Sequence, residues 1–300
     1  MAEVSRCGGI GMVQPLALTR LYGHDFRTGL RLIKERCEGK PFGVNFTILP
    51  NAKYKKLMDE WMDISIDEGV KFFLTSLGKP DSIVKRAHEH GIKVYHDVHN
   101  VKLAKLAAAA GVDGLNLLNC DMGGQTGTHP SDWVTQVADL DLGLPLVCAG
   151  GIGNEHDYAA ALSTGYAGVQ MGTRFIATAE CRVTNSYKSA IVGASADDIV
   201  WTNKLAGTES SVIRSPMIEE GGLRAGKLVS FMLKQPALKG YARMFLLTRA
   251  VGNYSKAVDD ESFQIWQAGK GVSGIGSVET VEEIMRRFAA AQPSPEVSAV

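Results

Sequence analysis

The chain has 300 residues, 45% of them hydrophobic, and its 32 basic side chains balance 32 acidic ones. This size and apolar content predict one large α/β domain or two small ones. The balanced charge argues against binding to nucleic acid or to an anionic membrane surface. Five scattered cysteines without CxxC spacing argue against a disulfide framework or a zinc site. Because the sequence shows neither a signal peptide nor a membrane-length apolar run, we expect a soluble cytoplasmic protein.

Strands and helices are predicted to alternate through the first 175 residues. Apolar segments typical of buried parallel strands are centred near Ile10, Val44, Phe73, Val94, Leu115, Val147 and Val169. Helical periodicity is found at 26–36, 53–67, 79–90, 101–110, 131–137 and 155–163. The alternation predicts right-handed βαβ units and a parallel sheet. Seven strands are one too few for a barrel of this type, which indicates either a start site further upstream or an unusual barrel seam.

Two glycine-rich turns lie within the segment Leu144–Phe175. Gly150, Gly151 and Gly153 follow one predicted strand, and Gly172 with Thr173 follows the next. Glycine turns before helices leave backbone N–H groups free to bind a phosphate dianion, and in an α/β barrel the last two strands carry such a site. The alternative is a pair of ordinary tight turns that bind no ligand.

The pattern changes after residue 175. A helix is predicted at 179–192, short irregular strands or an inserted cap at 199–215, further helices at 223–233 and 242–250, an aromatic and glycine-rich loop at 263–271, and a terminal helix at 278–291. The predicted division is a barrel domain over 1–195, a cap or helical segment over 196–262, a C-terminal loop and helix completing the barrel over 263–291, and a disordered tail over 292–300.

Five stretches, in order and with consistent spacing, resemble the nitronate monooxygenase family. They are PFGVNFTILP, GVDGLNLLNCDMGGQTG, CAGGIGN, MGTRFIATAEC and IWQAGKGVSGI. That family includes the 2-nitropropane dioxygenase-like enzymes and related FMN-dependent NAD(P)H:quinone reductases, and it is akin to flavin-dependent enoyl reductases. The resemblance implies an FMN-binding (β/α)₈ TIM barrel that lacks its first strand and carries a C-terminal helical segment.

The resemblance also implies a set of cofactor contacts. Asn45 would touch the flavin ring, and Gly123 would lie against the cofactor. The ribityl chain and phosphate would be held by Gly150, Gly151, Gln170, Met171, Gly172 and Thr173. Trp266 and Gln267 could close the site over the ring. The competing interpretations are a strand-end hydrogen bond for Asn45, a helix N-cap for Thr173, and simple packing for Trp266 and Gln267.

Gln125 occupies the position where the family usually has a histidine that serves as base or hydrogen-bond donor. Glutamine donates a hydrogen bond but accepts no proton at neutral pH. We therefore do not expect abstraction of a carbon-bound proton, whereas hydride transfer belongs to the flavin itself. The candidate catalytic residues are Gln125 and His129, which follows four residues later; the alternative for His129 is an exposed loop residue.

Asp97 replaces a lysine of the quinone-reductase branch. A carboxylate there would disfavour an anionic reduced flavin unless His96 and His99 compensate as imidazolium groups. The alternative is that Asp97 caps the following helix. The family's opening strand, which packs against the flavin, is also absent from the sequence. This predicts weakened FMN binding and an exposed seam, or else a wrongly chosen start site.

The leading hypothesis is an FMN-dependent oxidation of alkyl nitronates by O₂. The alternative is a reductase that uses NAD(P)H as electron donor to a quinone or enoyl acceptor through the same flavin. A third class is a non-catalytic or non-redox phosphate-binding barrel. A small-molecule substrate is expected and a homodimer is the candidate assembly. No metal site is expected, because His88 and His90 do not share a helix face.

Overall fold

The computed structural model describes residues 1–49, 51–124, 129–203, 209–224 and 255–292, together with the single residues 226, 229, 231, 232, 235, 238 and 252. Its main sheet contains seven strands in consecutive order, and every neighbouring pair is parallel. They are β1 (Gly11–Val13), β2 (Phe42–Thr47), β3 (Phe72–Ser76), β4 (Lys93–Val98), β5 (Gly114–Leu118), β6 (Leu146–Ala149) and β7 (Gly168–Gln170).

Helices follow the strands. They are α1 (Ala2–Arg6), α2 (Phe26–Arg36), α3 (Ala52–Asp67), α4 (Asp81–His88), α5 (Val101–Ala109), α6 (Val134–Ala138), α7 (Glu155–Ser163), α8 (Thr173–Ile176), α9 (Asn185–Gly193), α10 (Pro216–Gly221) and α11 (Val281–Ala290). Four further helical segments in the described ranges are a π-helix at Ala17–Leu21 and 3₁₀-helices at Ser131–Trp133, Ala196–Asp198 and Lys270–Gly274. None of the helices in the described ranges has the length and apolarity needed to traverse a bilayer.

The sheet is a curled half-barrel that matches the predicted (β/α)₈ architecture with one strand missing. All seven predicted strands are present, which confirms the predicted fold class. Within the described residues, no strand pairs with the outer edge of β1 or of β7. The missing position is therefore the one between the first and the last strand of the sheet.

Side chains alternate between the two faces of the sheet. The outer face is apolar and fully buried, with Val44, Phe73 and Val94 at 0% exposure. On the inner face the rings of Phe72 and Tyr95 lie 5.0 Å apart. A Cβ on Gly114 would contact the Tyr95 ring, so glycine on β5 gives that ring its space. Aromatic rings therefore fill the base of the half-barrel, and polar groups are concentrated at the carboxyl ends of the strands.

A cap covers the carboxyl end of β5. Strands β8 (Ile199–Thr202) and β9 (Ser210–Ile213) form an antiparallel hairpin, in the segment for which the sequence predicts short irregular strands or an inserted cap. The hairpin is bonded to the C-terminal segment, since the Ile213 N–H donates to Trp266 O at 2.9 Å. It also contacts the loop after β5, because the Ser211 N–H donates to Gly124 O at 3.0 Å. The cap therefore ties together two segments that are far apart in sequence.

One predicted helix differs from the structure. Instead of a single helix at 179–192, the short α8 follows β7, and α9 begins only at Asn185. The Thr184 side chain accepts a hydrogen bond from Tyr187 N and so sets this start. The helices predicted at 223–233 and 242–250 fall largely outside the described residues, as does the tail after residue 292.

Candidate active site

A cavity of about 190 Å³ opens at the carboxyl ends of β5, β6 and β7. Seven of the eight residues predicted to hold a cofactor line it: Gly123, Gly150, Gly151, Gln170, Met171, Gly172 and Thr173. The C-terminal segment contributes Gln267, Gly269 and Gly271. The structure thus brings both glycine turns to one cavity, as parallel topology requires of loops that follow neighbouring strands.

The turn after β6 has a backbone that only glycine adopts easily. Gly150 has φ +125° and Gly151 has φ +82°. A Cβ on Gly150 would contact Asn119 Oδ1 and lie 2.6 Å from Met122 N. The N–H groups of Gly150, Gly151 and Ile152 donate to no acceptor within the described residues. They are therefore free to bind an anion.

The turn after β7 is open in the same way. The N–H groups of Gly172 and Thr173 find no acceptor among the described residues, and a Cβ on Gly172 would meet nothing within 4 Å. The space beside Gly172 is therefore empty of protein atoms. Both turns therefore contribute unpaired hydrogen-bond donors to residues that line one cavity. All of these donors are backbone N–H groups, and none is a charged side chain.

Gly153 does not take part in this arrangement. Its N–H donates to Asp157 Oδ2 at 2.9 Å, and Asn154 Oδ1 accepts from His156 N and from Asp157 N. This capping box satisfies the first turn of α7, so the prediction that Gly153 leaves a free N–H is wrong. Glycine is needed there for another reason, since a Cβ would contact Gly271 O. The unpaired backbone N–H groups at the cavity therefore belong to the two turns and not to the α7 N-terminus.

Thr173 and Gly123 hold the C-terminal segment against the cavity. Thr173 Oγ1 accepts a hydrogen bond from Gly269 N at 3.1 Å, and a Cβ on Gly123 would lie 2.9 Å from that same nitrogen. The N-cap position of α8 is Gly172, so the alternative of Thr173 as N-cap is wrong. Since Thr173 Oγ1 accepts there, its hydroxyl hydrogen is available to a ligand.

Gln267 and Trp266 have different surroundings. Gln267 lines the cavity, and its carbonyl oxygen accepts a 2.5 Å hydrogen bond from the Tyr187 hydroxyl. Trp266 is buried, and its ring stacks on Tyr187 with centroids 6.4 Å apart. Only Gln267 is thus positioned beside the cavity, whereas Trp266 packs within the C-terminal segment.

Asn45 lies on the inner face of β2, outside the lining of this cavity. Its side-chain oxygen is buried and has no hydrogen-bond partner, and the same is true of the Gln14 oxygen. Gln14 Nε2 donates to Thr47 Oγ1 at 3.4 Å, which keeps this pair at the carboxyl ends of β1 and β2. Two unpaired acceptors at the carboxyl ends of β1 and β2, which form the mouth of the half-barrel, destabilise the fold unless a ligand supplies hydrogen-bond donors.

Of the two candidate catalytic residues, the described part of the chain includes only His129. Gln125 lies outside the described residues. The His129 ring stacks on Trp133 with centroids 5.2 Å apart, and His129 is not part of the cavity lining. The catalytic role of either residue stays a prediction.

His96 and Asp97 point to opposite faces of β4. His96 lies on the outer face, where its Nδ1 is 2.8 Å from Thr75 Oγ1 and burial lowers its pKa to about 4. A neutral imidazole there supplies no positive charge, so the predicted compensation by an imidazolium pair is wrong. Asn100 caps α5 by accepting from Leu103 N at 2.9 Å, so Asp97 is not the helix cap either.

Asp97 faces the inside of the half-barrel. Asn116 Nδ2 donates to Asp97 Oδ1 at 2.6 Å and to Gln170 Oε1 at 2.8 Å. Burial raises the pKa of Asp97 to about 7, and the hydrogen bond from Asn116 opposes that rise. The carboxyl group is therefore connected to a cavity residue through a single buried amide.

Sequence reasoning missed an ion pair at the cavity edge. Lys270 Nζ lies 3.0 Å from Asp121 Oδ1, and Asp121 lines the cavity. The hydrogen bond from Lys270 to this carboxylate raises the pKa of Lys270. The spacing of 149 residues leaves no local signal for this pair. The described residues contain no group of three or more potential metal ligands.

Comparison with curated proteins identifies relatives by sequence similarity. A curated relative from Mycobacterium tuberculosis, named (3aS,4S,5R,7aS)-5-hydroxy-7a-methyl-1-oxo-octahydro-1H-indene-4-carboxyl-CoA dehydrogenase, is 29% identical over 75% of this chain and 62% of its own length. A probable nitronate monooxygenase from Staphylococcus saprophyticus is 27% identical over 60% of this chain and 55% of its own length. The chain thus spans less than two thirds of the length of these curated relatives.

Structural similarity extends over nearly the whole chain. The structure of FabK from Thermotoga maritima superimposes with a TM-score of 0.77 at 27% identity, covering 96% of this chain and 88% of that one. The family model described as nitronate monooxygenase matches residues 1–290. The chain belongs to the nitronate monooxygenase family.

Proposed function

We propose that this protein is an FMN-dependent oxidoreductase that oxidises alkyl nitronates with O₂. The observation that carries the proposal is the convergence of two turns with free N–H groups, at 150–152 and 172–173, on one cavity. Backbone donors of this kind bind a phosphate dianion through charge-assisted hydrogen bonds. A terminal phosphate is the part of FMN that such a cavity would hold.

The residues present fit the cofactor in two further respects. The unpaired oxygens of Asn45 and Gln14 offer acceptors in the half-barrel mouth, where a flavin ring could supply a donor. Gln170 lines the cavity and would contact the ribityl chain. When bound, FMN supplies the hydride and oxygen chemistry, and the protein orients the reactants.

Nitronate oxidation suits a site without a strong base. A nitronate is already deprotonated, so its oxidation needs a hydrogen-bond donor to the nitro oxygens more than a proton acceptor. Gln125 would provide that donor in place of the family histidine. The cap hairpin and the C-terminal segment would exclude water from the site.

The alternative function is reduction of a quinone or enoyl acceptor by NAD(P)H through the same flavin. The mycobacterial relative is named a dehydrogenase of a carboxyl-CoA compound, and this name describes hydrogen transfer without oxygen insertion. A non-redox phosphate-binding barrel would use the same glycine turns. Against that class, the one lysine at the cavity edge within the described residues, Lys270, is paired with Asp121 and is poorly suited to form a Schiff base.

Anaerobic reduction of the bound flavin separates these functions. We expect the absorbance band at about 450 nm typical of oxidised flavin to bleach on addition of propyl-1-nitronate. Bleaching by NADH alone would support the reductase. Purified protein that binds FMN but is bleached by neither compound would contradict both redox functions.

Lys270→Met is expected to weaken FMN binding about tenfold, because it leaves the Asp121 carboxylate uncompensated beside the phosphate. The double variant Asp121→Asn with Lys270→Met should bind FMN with an affinity within about threefold of that of the wild type, because it removes both charges. Titration by flavin fluorescence quenching measures each affinity. Lys105→Met, on the exposed side of α5, is the control, and an equal loss there would refute this role for the pair.

A further inference from the structure

The Asp97 side chain lies on the inner face of the half-barrel, is only partly exposed, and has no positive partner among the described residues. Its hydrogen bond comes from the neutral amide of Asn116. Burial is the dominant influence on its pKa, and no charged group contributes to the shift. A carboxylate in such surroundings is stabilised only by hydrogen bonding, so the neutral acid is favoured.

The groups that face Asp97 on the adjacent strands are neutral, and the charged Lys93 on the same face of β4 lies at the opposite end of the strand and pairs with Asp113. The same face of β4 presents Tyr95, whose pKa is raised by burial, so the phenol stays protonated. The adjacent strands and β7 present Leu74, Ser76, Asn116, Leu118 and Gln170. The nearest histidine in sequence, His96, lies on the opposite face and is neutral.

The Asn116 amide connects this acid to the cavity. Asn116 is 1% exposed, and its Nδ2 group bridges Asp97 and the cavity residue Gln170. Its Oδ1 atom is buried without a partner. An ionised Asp97 can only accept hydrogen bonds and requires the Asn116 NH₂ group, whereas a protonated Asp97 can also donate. The charge of Asp97 is therefore linked, through Asn116, to the arrangement of the cavity residue Gln170.

We propose that Asp97 is the proton-holding residue of this site and that occupation of the cavity by FMN is accompanied by proton uptake at Asp97. The proposal rests on the proposed FMN binding. A phosphate dianion bound in the cavity that Gln170 lines would disfavour a second negative charge in the half-barrel, and a bound ligand would remove remaining water from the carboxyl group. The neutral acid also exerts no repulsion on a cofactor that gains negative charge on reduction.

Calorimetric titration with FMN near pH 7.5, in buffers of different ionisation enthalpy, measures this proton uptake. We expect the wild type to take up roughly half a proton more than Asp97→Asn, because the variant keeps the hydrogen-bond acceptor and loses the titrating group. The FMN phosphate titrates equally in both, so its contribution cancels. The ratio of the wild-type affinity for FMN to that of Asp97→Asn should fall about fivefold as the pH rises from 6 to 8.5.

A second readout needs no FMN. Because the folded state binds the Asp97 proton more tightly than the unfolded state, the wild type should lose stability relative to Asp97→Asn as the pH rises from about 4 to about 7. Above pH 7 the difference in unfolding free energy between the wild type and Asp97→Asn should be constant. Asp59→Asn, which removes an exposed carboxylate of α3, is the matched control and should follow the wild type in both experiments.

Equal proton uptake by wild type and Asp97→Asn, with FMN binding intact, would overturn the proposal and leave the proposed function standing. No FMN binding by either protein at any pH would overturn both. Should Asp97→Asn fail to fold, infrared difference spectra of the wild type labelled with ¹³C-aspartate decide the matter. A neutral-acid band that grows when FMN binds supports the proposal, and an unchanged carboxylate band refutes it.

Discussion

Gly150→Ala is expected to abolish measurable FMN binding and to destabilise the fold by about 2–4 kcal/mol. The backbone at this position has φ +125°, which an L-residue adopts only with strain. The new methyl group would also collide with Asn119 Oδ1 and lie 2.6 Å from Met122 N. Relief of that collision must move the turn whose N–H groups face the cavity. Flavin titration should show at least a hundredfold loss of affinity, and urea denaturation the loss of stability.

Gly165→Ala provides the matched control. Gly165 also has a positive φ, +104°, but a Cβ there would meet nothing within 4 Å, and the residue lies just after α7, outside the cavity lining. The Gly165→Ala substitution should destabilise the protein by about 1–2 kcal/mol through backbone strain alone and leave its affinity for FMN unchanged. If both variants lost FMN equally, backbone strain in general, rather than the shape of the turn at Gly150, would explain the loss.

Arg174→Met is expected to destabilise the protein by about 3 kcal/mol and to weaken FMN binding with it. Arg174 is 1% exposed, and its guanidinium donates to Ala177 O and Ser277 O, each at 2.8 Å, and to Glu279 at 3.3 Å. Methionine would fill much of the volume and leave two carbonyl oxygens unpaired. The C-terminal segment that supplies Gly269 to the cavity would then dock less firmly. Denaturation with and without FMN measures both effects.

Arg214→Met tests whether any arginine would give the same result. Its side chain is 52% exposed and its nearest carboxylate, on Glu219, is 4.0 Å away. An exposed pair at that distance contributes little, so the change in stability should stay within about 0.5 kcal/mol. A similar loss of stability in Arg174→Met and Arg214→Met would mean that the hydrogen bonds of Arg174 do not hold the C-terminal segment in place.

The seven strands were predictable from the sequence because each is a short apolar run between helical segments. The half-barrel and the convergence of the two glycine turns followed from parallel topology. The turn at Gly153 was misread because the capping residues Asn154 and Asp157 were overlooked, although their spacing is a recognisable signal of a capped helix. Local sequence therefore contained enough information to exclude Gly153 from the anion site.

The faces of β4 could also have been assigned from the sequence. Val94, His96 and Val98 alternate with Tyr95 and Asp97, and the two buried valines place His96 on the apolar outer face. By contrast, the sequence alone does not predict the contact of Asp97 with Asn116 or the contact of Lys270 with Asp121. They join strands and segments far apart in the chain, and their geometry depends on the sheet register, which composition and periodicity do not specify.

Comparison of FMN with riboflavin tests most directly whether the two glycine turns bind a phosphate. The two ligands share the ring and ribityl chain and differ only in the phosphate. With several free N–H groups directed at a dianion, FMN should bind at least about a hundredfold more tightly than riboflavin. Equal affinity for the two flavins would show that these turns bind no phosphate and would contradict the account.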